Sequence, residues 1–109
     1  MCVTQETLFD QFVQIINKKK GVLKISELEK LAGYYSRYIN IIFEKHGGMS
    51  AKKYCNMVKM NFVIDEMKVN NFESFAKLAS KYKFYDQAHF IHEFKDFTGK
   101  TPSEYKISL

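Results

Sequence analysis

The chain repeats itself. Phe43, Gly48, Ser50 and Tyr54 recur as Phe94, Gly99, Thr101 and Tyr105 at an offset of 51, and Ile25, Leu28, Tyr34 and Tyr35 line up with Phe75, Leu78, Phe84 and Tyr85 at an offset of 50. The second copy therefore carries one extra residue ahead of its Phe. Each copy reads as a short helix, a tight turn, a longer helix ending at Gly and the capped start of a further helix. A chain built this way is expected to be all-α, with about seven helices in two tandem helix-turn-helix units joined by a long linker helix. The expected division is residues 1–68 (packing helix, first unit and linker) and 69–109 (second unit and last helix), together one module.

In order along the chain, Leu8, Phe9, Phe12, Val13, Ile15 and Ile16 give residues 5–17 one broad apolar face, with Thr4 placed to cap the first turn. Lys18, Lys19 and Lys20 end that helix beside Gly21, either as a solvated helix end or as a contact for a phosphate. Residues 25–32 form the next helix, with Ser26 able to cap and Leu28 and Leu31 expected inside. Gly33 supplies the turn. From Ser36 to His46 the inner positions are Ile39, Ile42 and Phe43, which turns Ser36, Arg37, Asn40, Ile41 and Glu44 outward. Ser50 caps a helix over 51–68, with apolar Tyr54, Cys55, Val58, Met60, Val63, Ile64 and Met67 at helical spacing, and Asn70 and Asn71 break it.

The second copy starts with a helix from Glu73 to Lys81 that buries Phe75, Leu78 and Ala79. Lys83 falls where the first copy has Gly, a substitution that costs on the order of 1 kcal/mol if the turn needs positive φ. The helix from Asp86 to Phe97 buries Phe90 and Phe94 and turns Gln87, Ala88, His89, His92 and Lys95 outward. Thr101-Pro102-Ser103-Glu104 is a capping box with Pro at the first helical position. A helix start of this kind, and the one at Ser50, offers N–H groups to a phosphate.

In a helix-turn-helix the second helix enters a DNA major groove. Arg37 is the sole Arg among 17 basic residues, and it opens the first candidate recognition helix. Arg and Asn supply bidentate contacts to guanine and adenine, and an exposed Ile41 can meet a thymine methyl. The net charge of +5 and pI near 9.1 suit a polyanionic partner. Two cysteines, Cys2 and Cys55, set up neither a disulfide framework nor a zinc site, and free thiols fit a cytoplasmic location. No apolar run approaches a membrane span. His89, His92 and Glu93 share part of a face but lack further ligands, so no metal and no cofactor are expected. No nucleophile–base pair or phosphate-cradling Gly loop points to an enzyme.

These residues carry a resemblance. Ala79, Phe84, Asp86-Gln87, His89-Phe90, Phe94-Lys95, Gly99 and Thr101-Pro102-Ser103-Glu104-Tyr105 resemble the signature of the AraC/XylS-family DNA-binding domain. Ile39, Phe43, Gly48, Ser50 and Tyr54 match in the first unit, and Lys59-Met60 resembles the Arg-Leu of the linker helix. The chain departs from the pattern at Glu29, where a small residue is usual, at Tyr35 and Tyr85, where a capping Ser is usual, and at Lys83. The resemblance implies a bacterial-type, sequence-specific transcription regulator whose recognition helices enter successive major-groove segments of double-stranded DNA. By position its base contacts would be Arg37, Asn40, Ile41, Ala88, His89 and His92, and Gln87 on the same outward face is expected to contact bases with them. Phosphate contacts would be Ser36, Lys45, Ser50, Lys83, Lys95, Thr101 and Ser103. RNA polymerase, or a fused sensor or dimerisation domain, would be the protein partner. The competing reading is a helical protein-interaction module that docks such a domain through exposed Ile41 and aromatic residues.

Overall fold

Local capping sets where the helices begin. The computed structural model describes residues 4–69 and 72–109, so Cys2, Asn70 and Asn71 lie outside the described residues. Among these the chain forms α1 (Gln5–Lys18), α2 (Ile25–Ala32), α3 (Ser36–Gly47), α4 (Ala51–Lys68), α5 (Phe75–Lys81), α6 (Gln87–Thr98) and α7 (Pro102–Ile107), with no strand. The expected all-helical tandem arrangement is what the chain adopts.

Thr4 Oγ1 accepts from the Thr7 N–H at 3.1 Å, Ser50 Oγ from Lys53 at 3.2 Å and Ser74 Oγ from Lys77 at 3.1 Å. Each satisfies an N–H that the helix itself cannot. Thr101 and Glu104 cap α7 reciprocally. One expected cap is absent and one expected start moves by two residues. The first residue of α2 is Ile25, so Ser26 lies inside the first turn and does not cap. The N-cap is Lys24, whose side chain has no acceptor, and its backbone N–H donates to the Glu27 carboxylate at 3.3 Å. The helix expected from Glu73 begins at Phe75, because Ser74 takes the cap.

The chain divides into two compact units, Met1–Val58 and Lys59–Leu109, with the division inside α4. The burial pattern of α4 supplies the reason. Ala51, Cys55 and Val58 are buried at i, i+4, i+7 spacing, and Met60, Val63, Ile64 and Met67 at i, i+3, i+4, i+7. Each set follows the helical period, but the step of two residues from Val58 to Met60 breaks the phase. The single stripe expected from the sequence is two.

In the first unit α1, α2 and α3 pack on one another. Phe12, Ile16, Leu28, Ile39, Ile42 and Phe43 are buried, each worth about 1.5–3 kcal/mol of transfer free energy. Phe43 gathers the aromatic rings, with Phe9 at 5.1 Å, Tyr54 at 5.2 Å and Phe12 at 6.1 Å between centroids. Leu31 does not join them. It lies at the margin of the buried face of α2 and is 54% exposed.

In the second unit α6 packs on α5 and α7. Phe90 lies 5.1 Å from Phe84 and 5.8 Å from Phe94, and Phe94 meets Tyr105 edge-on at 5.5 Å. Phe43–Tyr54 and Phe94–Tyr105 are thus the same contact made twice, which is the packing content of the sequence repeat. Phe75 is half-buried rather than buried. Tyr82, buried, donates its hydroxyl to Glu66 Oε1 at 2.8 Å, and Lys81 pairs with the same carboxylate. The turn before α6 requires positive φ: Lys83 takes 57° where Gly33 of the first unit takes 79°.

Candidate nucleic-acid interface

The second helix of each helix-turn-helix is α3 or α6, and most of the residues expected on their outward faces are exposed. On α3, Arg37 is exposed and Ile41, one turn further on, is 50% exposed. Their i, i+4 spacing puts a guanidinium and an apolar branch next to one another on the helix surface. Glu44 and Lys45 are exposed as well, and Lys45 Nζ donates to Gln5 Oε1 of α1 at 3.1 Å.

Asn40 has a second task. It is half-buried, and its Oδ1 accepts from the Ala51 N–H at 2.9 Å. The acceptor needed for bidentate adenine pairing is therefore already engaged at the start of α4. Ser36 is half-buried, and its backbone N–H donates to Glu29 Oε2 at 2.6 Å. Tyr35, the N-cap of α3, makes no side-chain cap. Glu29, reaching from the preceding helix, supplies it.

On α6, Gln87, Ala88, His89 and His92 are all exposed, as are Lys83 before the helix and Lys95 in its last turn. His89 Nε2 lies 3.2 Å from Glu93 Oε1, and His92 Nε2 lies 3.4 Å from Asp96 Oδ2, each one turn along the helix. Asp86 caps the helix, with Oδ1 accepting from the His89 N–H at 2.7 Å. The two recognition helices thus differ in charge. Arg37 and Lys45 face one Glu44 on α3, whereas α6 offsets its single Lys95 with Glu93 and Asp96.

Several helix N-termini are taken by the protein's own carboxylates, those of α3 and α7 among the expected phosphate sites. Glu29 occupies the start of α3, Asp86 that of α6 and Glu104 that of α7. Thr101 is half-buried, and both its N–H and its hydroxyl meet Glu104 Oε1, at 3.1 and 2.9 Å. The backbone bond first, and then the hydroxyl bond, hold the Glu104 carboxyl below the usual carboxylate range. Ser103 is exposed on α7. The start of α4 differs, since its partners there, Ser50 and Asn40, are neutral and Lys52 and Lys53 follow, exposed.

Sequence reasoning missed Glu29 and the capping role of Asn40, whose partners lie 7 and 11 residues away. No local pattern announces bonds of that kind. Among the described residues no three His, Cys, Asp or Glu side chains gather where a metal ion could sit, and no helix is long and apolar enough to cross a membrane.

Residues 28–107 match the family model described as a helix-turn-helix domain. Over 104 residues the chain is 27% identical to the Msm operon regulatory protein of Streptococcus mutans, which covers 92% of this chain and 36% of that protein. Over 86 residues it is 27% identical to the multiple antibiotic resistance protein MarA of Salmonella typhimurium, covering 79% of this chain and 67% of MarA. The chain therefore spans little more than a third of the first relative's length.

Proposed function

The chain belongs to the AraC-type helix-turn-helix family, and from that premise we propose that it binds double-stranded DNA sequence-specifically as the reading module of a transcription regulator. The observation that carries the reading is the exposed Arg37–Ile41 pair on α3, a bidentate donor beside an apolar group on the second helix of a helix-turn-helix. Arg37 takes a guanine edge and Ile41 a thymine methyl. Asn40 contributes mainly by holding the start of α4, and α6 lays Gln87, Ala88, His89 and His92 into a second major-groove segment.

Lys45, Lys83, Lys95 and Ser103 are exposed and so suited to phosphates, and Ser50 reaches one through the uncharged start of α4. Ser36 and Thr101 are weaker candidates than their sequence positions suggest, because a carboxylate already holds each one's N–H. RNA polymerase, or a sensor or dimerisation domain, is the protein partner we assign to the regulator, and the bacterial cytoplasm its place of action. A protein-docking role is favoured by the exposed Ile41, Tyr35, Tyr85 and Phe97 and by the exposed Leu31 on α2.

The test is Arg37→Ala in duplex binding measured by fluorescence anisotropy. Discrimination at one base pair should fall by about 1–3 kcal/mol while the fold is retained. Unchanged discrimination would remove Arg37 from the reading set. Duplex affinity that does not weaken with salt would favour protein docking, since release of counterions accompanies polyanion binding.

A further inference from the structure

In the first unit the carboxylate that starts the recognition helix comes from outside that helix, and it replaces a residue that elsewhere in the chain is small. The repeat aligns Glu29 with Ala79, which is buried between α5 and its neighbours as a small residue should be. Glu29 cannot be accommodated that way. It is half-buried on α2, and its Oε2 takes the first free N–H of α3, from Ser36, at 2.6 Å. The neighbouring N-cap, Tyr35, has no oxygen within reach of the helix start, and its ring is 84% exposed. The two departures are complementary: a residue that cannot cap is matched by one, six positions earlier, that caps in its place.

We infer that Glu29 is a positioning residue that fixes the start of α3 and at the same time closes that helix end to DNA phosphate. The inference rests on the DNA-binding reading given above. A helix N-terminus concentrates partial positive charge and N–H donors, so it attracts one anion. Here the anion is internal. A phosphate approaching Ser36 meets a fixed negative charge and finds the first N–H of the helix already bonded. The grip on the backbone in this unit then passes to groups without such a charge, the exposed lysines and the neutral start of α4 at Ser50.

This arrangement gives the two roles of Glu29 opposite signs in DNA binding, which makes them separable. Glu29→Gln keeps an oxygen able to accept from Ser36 and removes the charge. Glu29→Ala removes both. Asp10→Asn, at an exposed position of α1, removes an equal charge that bonds no N–H of α3. Duplex affinity and thermal melting are measured for all four proteins at low and moderate salt. Glu29→Gln should melt close to the unsubstituted protein yet bind duplex about two- to fivefold more tightly at low salt, with the gain shrinking as salt rises. Glu29→Ala should melt earlier and discriminate less well between sequences, and Asp10→Asn should bind as the unsubstituted protein does.

Equal affinity of Glu29→Gln and the unsubstituted protein, or an equal gain from Asp10→Asn, would overturn the inference while leaving DNA binding intact. Melting of Glu29→Ala unchanged from the unsubstituted protein would overturn the positioning role. No retention of the unsubstituted protein on any duplex would overturn the DNA-binding reading itself, and the inference with it.

Discussion

Asn40→Ala separates two uses of one side chain. In the first unit Asn40 Oδ1 accepts the Ala51 N–H at 2.9 Å, and Ala51 is 0% exposed. Truncation leaves a buried donor without a partner, which costs about 1–3 kcal/mol. Ala is the better helix former, and inside α3 that returns about 0.5 kcal/mol. The net loss should be about 0.5–2.5 kcal/mol, with a melting temperature lower by roughly 4–8 °C for each kcal/mol in a domain of this size. Asn40→Asp is the control, because its carboxylate still accepts from Ala51 and adds a favourable charge at the start of α4, worth about 0.3–1 kcal/mol. Urea unfolding followed by far-ultraviolet circular dichroism reads both. The order expected is Asp at least as stable as Asn, and Ala less stable. If Asn40→Ala unfolds at the same urea concentration as the unsubstituted protein while its DNA discrimination collapses, Asn40 is a base reader and the capping argument is wrong.

Three further substitutions test other parts of the account. Lys83→Gly relieves a φ of 57° and should stabilise the second unit by about 0.5–1 kcal/mol in urea melts after allowance for the greater freedom of Gly in the unfolded chain. It should also weaken duplex binding about equally across sequences, as loss of a phosphate contact does. Because the Glu104 carboxyl is held below its ordinary range, its contribution to stability is complete above the ordinary carboxylate value and disappears as pH falls through the lower, folded value. Glu104→Gln should flatten that acid-side loss in melts recorded across pH. Burial, and then the hydrogen bond to Glu66, push the Tyr82 hydroxyl up, so its contribution is complete below the ordinary tyrosine value and lost as pH rises toward the folded one. Tyr82→Phe should cost about 1 kcal/mol at neutral pH and remove that alkaline sensitivity, and an alkaline melting curve unchanged by the substitution would refute it.

What the sequence made legible was whatever repeats or is local. Phe43, Gly48 and Tyr54 and their second-copy counterparts announce the tandem units because packing at helical spacing leaves a period in the chain. The capping box at Thr101 and the cap at Thr4 are read over a few residues. Leu31 departs from its expected burial because periodicity identifies the face a residue shares but not how far that face is covered in an eight-residue helix. Ser26 does not cap because a hydroxyl near a helix start is a cap only at one position, here held by Lys24. Glu29 and Asn40 stayed hidden for a different reason: they bond backbone N–H groups across a turn, to partners whose side chains give no sign of it. In the outward faces of α3 and α6 the residue types were legible, whereas the pairing of His89 with Glu93 and His92 with Asp96 changes their electrostatic meaning.

The central claim, that two tandem units read double-stranded DNA with α3 as a reader, is tested most directly by selecting from random duplexes of about 25 base pairs at moderate salt and sequencing what the protein retains. Two enriched boxes about one helical turn apart, one of them relaxed at a base pair with Arg37→Ala, are the result expected. Retention with no sequence enrichment, or enrichment that Arg37→Ala leaves untouched at both boxes, would contradict it.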